Sequence, residues 1–264
     1  MDINRISQFF PEAIGNATPA PNGHHRPATS LERKQLMLRH FVQMIVTGQA
    51  HGLFCFGDGG NGKSSVIVET LEQHEIEPVV LNSHLTALGL FMCLWKYRED
   101  HTILIEDCEQ ALASAPILGL LRSALCGVND ERHVTYVTSV QFDMPSSFRF
   151  DSKIIICSNS VPKSPAFKAL ATRCLVFHLE PTQDEIIEQF QAIAARGFED
   201  LTSDDCRIVV DYVAGHAARR LCMRLLTPIF RTMQFARTKG IAWEPLVDAQ
   251  LQELVPTPNL PTPL

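Results

Sequence analysis

Residues 53–71 read LFCFGDGGNGKSSVIVETL. An apolar run stops at Gly57, four glycines fall within residues 57–62, Lys63-Ser64-Ser65 follows, and an apolar pattern resumes. LFCF is short and apolar on both faces, as a buried parallel strand is. SSVIVETLEQH has the spacing of a helix. Between them Gly57, Asp58, Gly59, Gly60, Asn61, Gly62, Lys63 and Ser64 fit G-x-x-x-x-G-K-[ST], in the strand–loop–helix setting that the pattern requires. The glycines let successive backbone N–H groups turn inward around a phosphate, and the following helix points its positive end at the same place. In such a loop residues 59–65, to Ser65, cradle ATP, Lys63 reaches the terminal phosphates and the Ser64 hydroxyl is placed for Mg²⁺. Lys63 is expected in a solvated crevice.

Outward from this stretch, strands and helices alternate. EPVVLN, TILIED, KIIICSN and CLVFHLE read as further strands, and LTALGLFMCLWKYRE, SAPILGLLRSALCG and PAFKALATR as helices, with Ser114 as a cap and Pro116 in a first turn. Upstream, Ser30 caps LERKQLMLRHFVQMIVTG, whose stripe is Leu36, Leu38, Phe41, Met44 and Ile45, with Gly48 as the stop. The alternation predicts an α/β fold: a P-loop NTPase core with a five-stranded parallel sheet sandwiched by helices. It lapses over 128–152, where HVTYVTSVQF reads as β structure, a hairpin. After Pro181 strand signals nearly vanish. TQDEIIEQFQAIAARG, TSDDCRIVVDYVAG and HAARRLCMRLLTPIFRTMQFART read as three helices, the first two capped by Thr or Ser and closed by Gly. The expected organisation is a flexible segment over 1–30, a nucleotide-binding core over 31–180, a small all-helical lid over 181–240 and a Pro-rich tail over 241–264.

Composition bounds the partners. A formal net charge of −6 argues against nonspecific coating of nucleic acid, though a local basic channel is compatible with it. The eight cysteines are scattered, several inside apolar runs, and read as reduced buried thiols of a cytoplasmic protein. His24 and His25, with no cysteine near, belong to the flexible segment and not to a metal site. No apolar run reaches the length of a membrane span, and the N-terminus lacks the basic-then-apolar order of a secretory signal.

A second acidic element follows the third strand. HTILIEDCE sets Glu106 and Asp107 at its carboxyl end, the end that faces the ligand crevice of an open α/β sheet. Metal-dependent phosphate chemistry needs one carboxylate near Mg²⁺ and one to orient the attacking water.

Taken in order, these elements over about residues 31–240 resemble the AAA+ ATPases. The resemblance implies Walker A at Gly57–Ser64 and Walker B at Glu106 (Mg²⁺ side) and Asp107 (water-activating side). That acid order is the reverse of the family's, and Glu109 is the alternative for the second role. It further implies a sensor at Asn159, an arginine finger for a neighbouring subunit at Arg173 (with Thr172 where the family has Ser), and a lid arginine at Arg220, with Arg219 as the alternative. Without the resemblance Asn159 is a turn residue, Arg173 a helix-end dipole partner, and Arg220 and Arg224 the solvated stripe of an amphipathic helix. More narrowly, EPVVLNSHLTALGLFMCLWKYRED, ILIEDCE and FRFDSKIIICSNSVPKSPAFKALATRC resemble AAA+ ATPases of bacterial plasmids, phages and related mobile elements. His84 and the apolar residues after it stand where many such proteins present a pore loop; a plain strand-to-helix turn is the alternative.

The implied activity is hydrolysis of ATP by an oligomeric ring or open ring, a motor or remodelling factor whose substrate, DNA, RNA or protein, is not specified. A P-loop small-molecule kinase and a nucleotide-gated binding module with little turnover are the rivals. Neither Asn-Lys-x-Asp nor Leu-Ser-Gly-Gly-Gln occurs, so guanine selectivity and an ABC-type ATPase have no support.

Overall fold

The computed structural model describes residues 26–82, 84–127, 131–137, 143–217 and 219–252. The expected flexible segment up to residue 25 and the tail from residue 253 lie outside the described residues, as does the middle of HVTYVTSVQF. Two units are distinguished, one within Arg33–Glu180 and one comprising Arg26–Glu32 and Pro181–Leu264.

The first unit carries seven strands among the described residues: β1 (Gly52–Phe56), β2 (Val79–Asn82), β3 (Thr102–Glu106), β4 (His133–Thr135), β5 (Ser147–Arg149), β6 (Lys153–Ser158) and β7 (Leu175–His178). Five form one sheet in the order β2-β3-β6-β1-β7, every pair parallel. β4 and β5 form a separate antiparallel pair. Parallel strands need long crossovers, and helices supply them: α2 (Lys63–Gln73), α3 (Ala87–Lys96), the short α4 (Glu109–Leu112), α5 (Ala115–Leu125) and α6 (Pro165–Ala171); α1 (Ser30–Val46) precedes β1 and leads into the sheet.

Alternation along the inner strands sends Phe54, Ile103, Ile105, Ile154 and Ile156 into one core with Leu90, Phe91 and Leu94 of α3 and Ile117, Leu118 and Leu121 of α5. Leu53, Cys55, Leu104 and Ile155, equally buried, alternate to the other face. Continuous burial of this kind is why these strands read as unbroken apolar runs. Arg39 of α1 and Glu69 of α2 pair at 2.8 Å.

β1 is an inner strand, and the turn after it is closely constrained. The Leu179 N–H donates to the Phe56 carbonyl at 2.8 Å. Gly57 has φ +142°, and a Cβ there would lie 2.0 Å from the Leu179 carbonyl oxygen. Only glycine fits, because the obstacle is backbone that is itself fixed by the sheet. Gly57→Ala is expected to cost about 2 kcal/mol or more of stability. Chemical denaturation would measure this, and an unchanged midpoint would show that the Leu179 backbone yields.

The second unit is helical: α7 (Gln183–Ala194), α8 (Ser203–His216), a 3-10 turn at Met223–Leu225, α9 (Leu226–Lys239) and α10 (Glu244–Leu251). Thr182 and Thr202 cap α7 and α8, as the sequence predicts, and each cap is completed into a capping box, by Glu185 and Asp205. Three expectations are corrected. Gly215 does not close α8, which continues to His216. The third helix starts at Leu226 instead of His216. Pro228 lacks an N–H and its ring would clash with the carbonyl of Arg224, so it is accommodated only in a first turn. The preceding backbone bonds elsewhere, Arg219 N–H to the Leu251 carbonyl at 3.2 Å and Leu221 N–H to Gln183 Oε1 at 2.6 Å. Finally, α10 occupies part of the expected tail: Pro245 sits in its first turn, Val247 and Leu251 are buried, and Asp248 accepts from the Tyr212 hydroxyl at 2.7 Å.

Candidate nucleotide site

The phosphate loop links β1 to α2, and Gly62, at φ +86°, is the N-cap of that helix. No side chain caps α2, so its first N–H groups face a ligand position. Lys63 is buried, 5% exposed, which corrects the expected solvated crevice. Its Nζ donates to the Gly57 carbonyl at 2.6 Å, to the Asp58 carbonyl at 2.9 Å and to Asn159 Oδ1 at 3.4 Å. Asn61 is buried, with Nδ2 3.4 Å from the Asp58 carbonyl. From α1, Gln35 donates to the Asn61 carbonyl at 3.2 Å and steadies the loop. Sequence reasoning missed Gln35; its signal is a polar residue on a face otherwise lined by Leu31, Leu38, Val42 and Ile45, all fully buried.

The parallel register brings the acidic residues and Asn159 to the same end of the sheet. Glu106 is level with Cys157, one residue before the end of β6, and Asn159 follows β6 directly. Asn159 Nδ2 lies 3.2 Å from Glu109 Oε1 and 3.4 Å from Asp107 Oδ1, and its backbone N–H donates to Glu109 Oε1 at 3.0 Å. That backbone bond holds the Glu109 carboxyl below its usual range. Asp107 is exposed and has φ +49°, a left-handed conformation uncommon outside glycine that it shares with Glu75, Asp100 and Glu199. Lys63, Asn159, Asp107 and Glu109 thus form one connected group of contacts.

Glu106 Oε1 is buried without a hydrogen-bond partner among the described residues. A desolvated carboxylate oxygen in that state asks for a cation. Ser64 Oγ lies 3.6 Å from Cys157 Sγ. A hard Mg²⁺ takes one or two protein oxygens and completes its shell with phosphate and water, so Ser64 and Glu106 fit it without a larger ligand cluster. Cys55, opposite Cys157 in the register, is pushed well above the usual thiol range by its hydrogen bond to Cys157 and by burial. None of the described cysteines is in a disulfide; Cys55, Cys108, Cys157 and Cys206 are buried and Cys126 is exposed.

Other expected site residues stand apart from this group. Arg173, exposed at the end of α6, donates to the Ala169 carbonyl. It precedes β7 and so lies at the amino end of that strand, away from the carboxyl end where the loop opens. Arg220 belongs to the second unit, where its guanidinium donates to the Pro181 carbonyl at 3.3 Å. Neither Arg220 nor Arg224 lies on an α-helix, which overturns the amphipathic-stripe alternative. His84 is exposed in the β2–α3 loop, but Leu85 after it packs against the core. Among the described residues no helix is long and apolar enough to cross a membrane.

No family model matches the chain. An uncharacterised 36.7 kDa protein of Enterobacteria phage T4, from the nrdC-mobD intergenic region, is 23% identical over 183 residues, 62% of this chain and 56% of that protein. The chain therefore spans little more than half the length of the curated relative it matches. Among solved structures, one variant of RuvB from Thermotoga maritima superposes with a TM-score of 0.51 at 14% identity, covering 84% of this chain and 71% of RuvB. A second variant gives 0.50 at 14% identity, covering 79% and 65%. At these identities the likeness is one of fold: an α/β P-loop core with a helical C-terminal region.

Proposed function

We propose that this chain binds and hydrolyses ATP as a protein of the AAA+ kind, assembling into a homo-oligomeric ring or open ring. In this reading it is a cytoplasmic motor or remodelling factor acting on nucleic acid or a nucleoprotein of a mobile element. The observation that carries it is the contact path from Lys63 through Asn159 to Asp107 and Glu109. It joins a phosphate-binding lysine to a polar sensor and to acids able to orient water, the set that phosphoryl transfer to water needs. The fold shared with RuvB and the phage relative support the same reading.

In this reading residues 31–180 are the nucleotide-binding core and 181–240 the lid. The loop from Gly57 to Ser65 cradles the phosphates. Lys63 leaves the carbonyls of Gly57 and Asp58 for the β- and γ-phosphates. Ser64 and Glu106 hold Mg²⁺, which neutralises the charge on the phosphate oxygens. Asp107 orients the water, Asn159 senses the γ-phosphate, Arg220 contacts nucleotide from the lid, and Arg173 serves a neighbour. A nucleotide-gated module is the second reading, favoured by Asp107 being a short acid where the family carries a longer one.

Phosphate release by the wild-type chain, compared with two variants, tests the proposal. Asp107→Asn is expected to bind ATP and to hydrolyse it ~100-fold or more slowly. Glu106→Gln is expected to lose the Mg²⁺-dependent part of ATP binding as well. The opposite pattern would exchange the two roles, and no effect from either would remove both from the mechanism. Tight binding without phosphate release by the wild type would establish the gated module, and consumption of ATP only with a small acceptor would establish a kinase.

A further inference from the structure

We propose that Glu109 is a positioning residue, the anchor of the Asn159 sensor, and not the group that takes a proton from water. This rests on the reading of Asn159 as the residue that meets the terminal phosphate. One oxygen, Oε1, accepts from both the Asn159 backbone N–H at 3.0 Å and its Nδ2 at 3.2 Å. These are shorter than the 3.4 Å contacts of the same side chain to Asp107 and Lys63.

The surroundings explain why an anchor is needed. Pairing of β6 with β1 ends at Phe56 with Ser158, so Asn159 stands just beyond the last residue that the sheet fixes. Glu109 stands on firmer ground. It opens α4, whose Ala111 and Leu112 are buried in the main core, and the Leu112 N–H donates to the Cys108 carbonyl at 3.1 Å. The helix is thus a fixed post from which a carboxylate reaches the sensor. A carboxylate already accepting two hydrogen bonds is a weak base, and the lowered carboxyl range of Glu109 agrees. Asp107, exposed and bonded only at the longer distance, keeps the freedom to orient water.

The arrangement also says how the sensor moves. In the structure both ends of the Asn159 amide are engaged, Nδ2 by carboxylates and Oδ1 by Lys63. A terminal phosphate that draws Lys63 away frees the side chain, while the backbone bond to Glu109 keeps the residue in place. Asn159 then turns about a held backbone instead of drifting with its loop.

Three measurements on the full chain, with Glu109→Ala and Glu109→Gln, decide the matter, the third of them phosphate release. The first is the amide ¹H–¹⁵N resonance of Asn159 without nucleotide; the second is the ratio of affinities for ADP and for a non-hydrolysable ATP analogue. Glu109→Ala is expected to shift the Asn159 resonance upfield and to reduce the preference for the triphosphate roughly tenfold. Glu109→Gln offers a carbonyl oxygen at the same reach and is expected to recover most of both. An Asn159 resonance unmoved by Glu109→Ala would overturn the anchor. So would a Glu109→Gln protein that keeps the resonance and the triphosphate preference yet releases phosphate no faster than Glu109→Ala, since that pattern belongs to a proton acceptor. If the resonance moves and recovers as expected while the wild type does not distinguish the two nucleotides, the anchor stands and the sensor reading of Asn159 falls.

Discussion

Lys63→Ala is expected to weaken ATP binding ~100-fold or more and to bring phosphate release to background. In the proposed function the Lys63 ammonium is the charge that the loop itself supplies to the phosphates. It is held among carbonyls, Gly57 at 2.6 Å and Asp58 at 2.9 Å, which an incoming phosphate replaces. Because Lys63 is buried, the substitution also removes the donor that satisfies those two carbonyls. A modest fall in thermal midpoint therefore accompanies the loss of binding, with the far-UV spectrum unchanged. Titration with a fluorescent ATP analogue measures the first effect and thermal denaturation the second. Turnover at the wild-type rate would remove Lys63, and with it the whole phosphate-loop assignment.

Arg173→Ala is expected to bind ATP nearly as the wild type does and to hydrolyse it ~10³-fold more slowly, the scale on which an arginine supplied in trans acts. The position argues for action on a neighbour: Arg173 stands at the amino end of β7, whereas the phosphate loop opens at the carboxyl end of the strands. Mixing the Arg173→Ala and Lys63→Ala proteins should restore part of the activity, because an intact arginine from one chain then serves an intact lysine site on another. Phosphate release across mixing ratios, with co-assembly shown by size measurement, reads this out. Mixed assemblies without recovery would make Arg173 structural. A protein that stays monomeric with ATP and hydrolyses it fully would end the ring model.

What the sequence made legible follows from burial. The inner strands β1, β3 and β6 are buried along nearly their whole length, so their apolar runs stand out, whereas the edge strands β2 and β7 expose alternate residues; the glycine pattern marks the loop because backbone geometry admits nothing else at Gly57. Less legible were features set by partners distant in sequence. The start of α9 depends on what Pro228 tolerates, on Gln183 Oε1 capturing the Leu221 N–H and on Leu251 capturing that of Arg219. α10 was hidden because only Val247 and Leu251 mark its buried face. At the site, Asn159 and the acidic residues were visible singly. That Glu109 and not Asp107 holds Asn159 most closely depends on α4, a single turn too short to leave a periodic signal. The burial of Lys63 was likewise invisible, being a property of loop carbonyls and not of side-chain types.

The place of β1 in the sheet has a kinetic consequence. Its partners are β6 and β7, with Gly52 beside Ile154 and Leu53 beside Leu175, so both of its edges wait for chain made about a hundred residues later. The local helices of the second unit need no such wait. Loop-closure entropy must be met before those distant pairings return anything, which makes sheets of this kind slow to assemble. On a ribosome the glycine loop precedes the Leu179 carbonyl against which Gly57 closes, so that contact can form only once both have been made. In the proposed function, nucleotide would then be a ligand of the nearly finished domain, acting as a clasp that favours the closed sheet by mass action, and not a template on which the early chain is built.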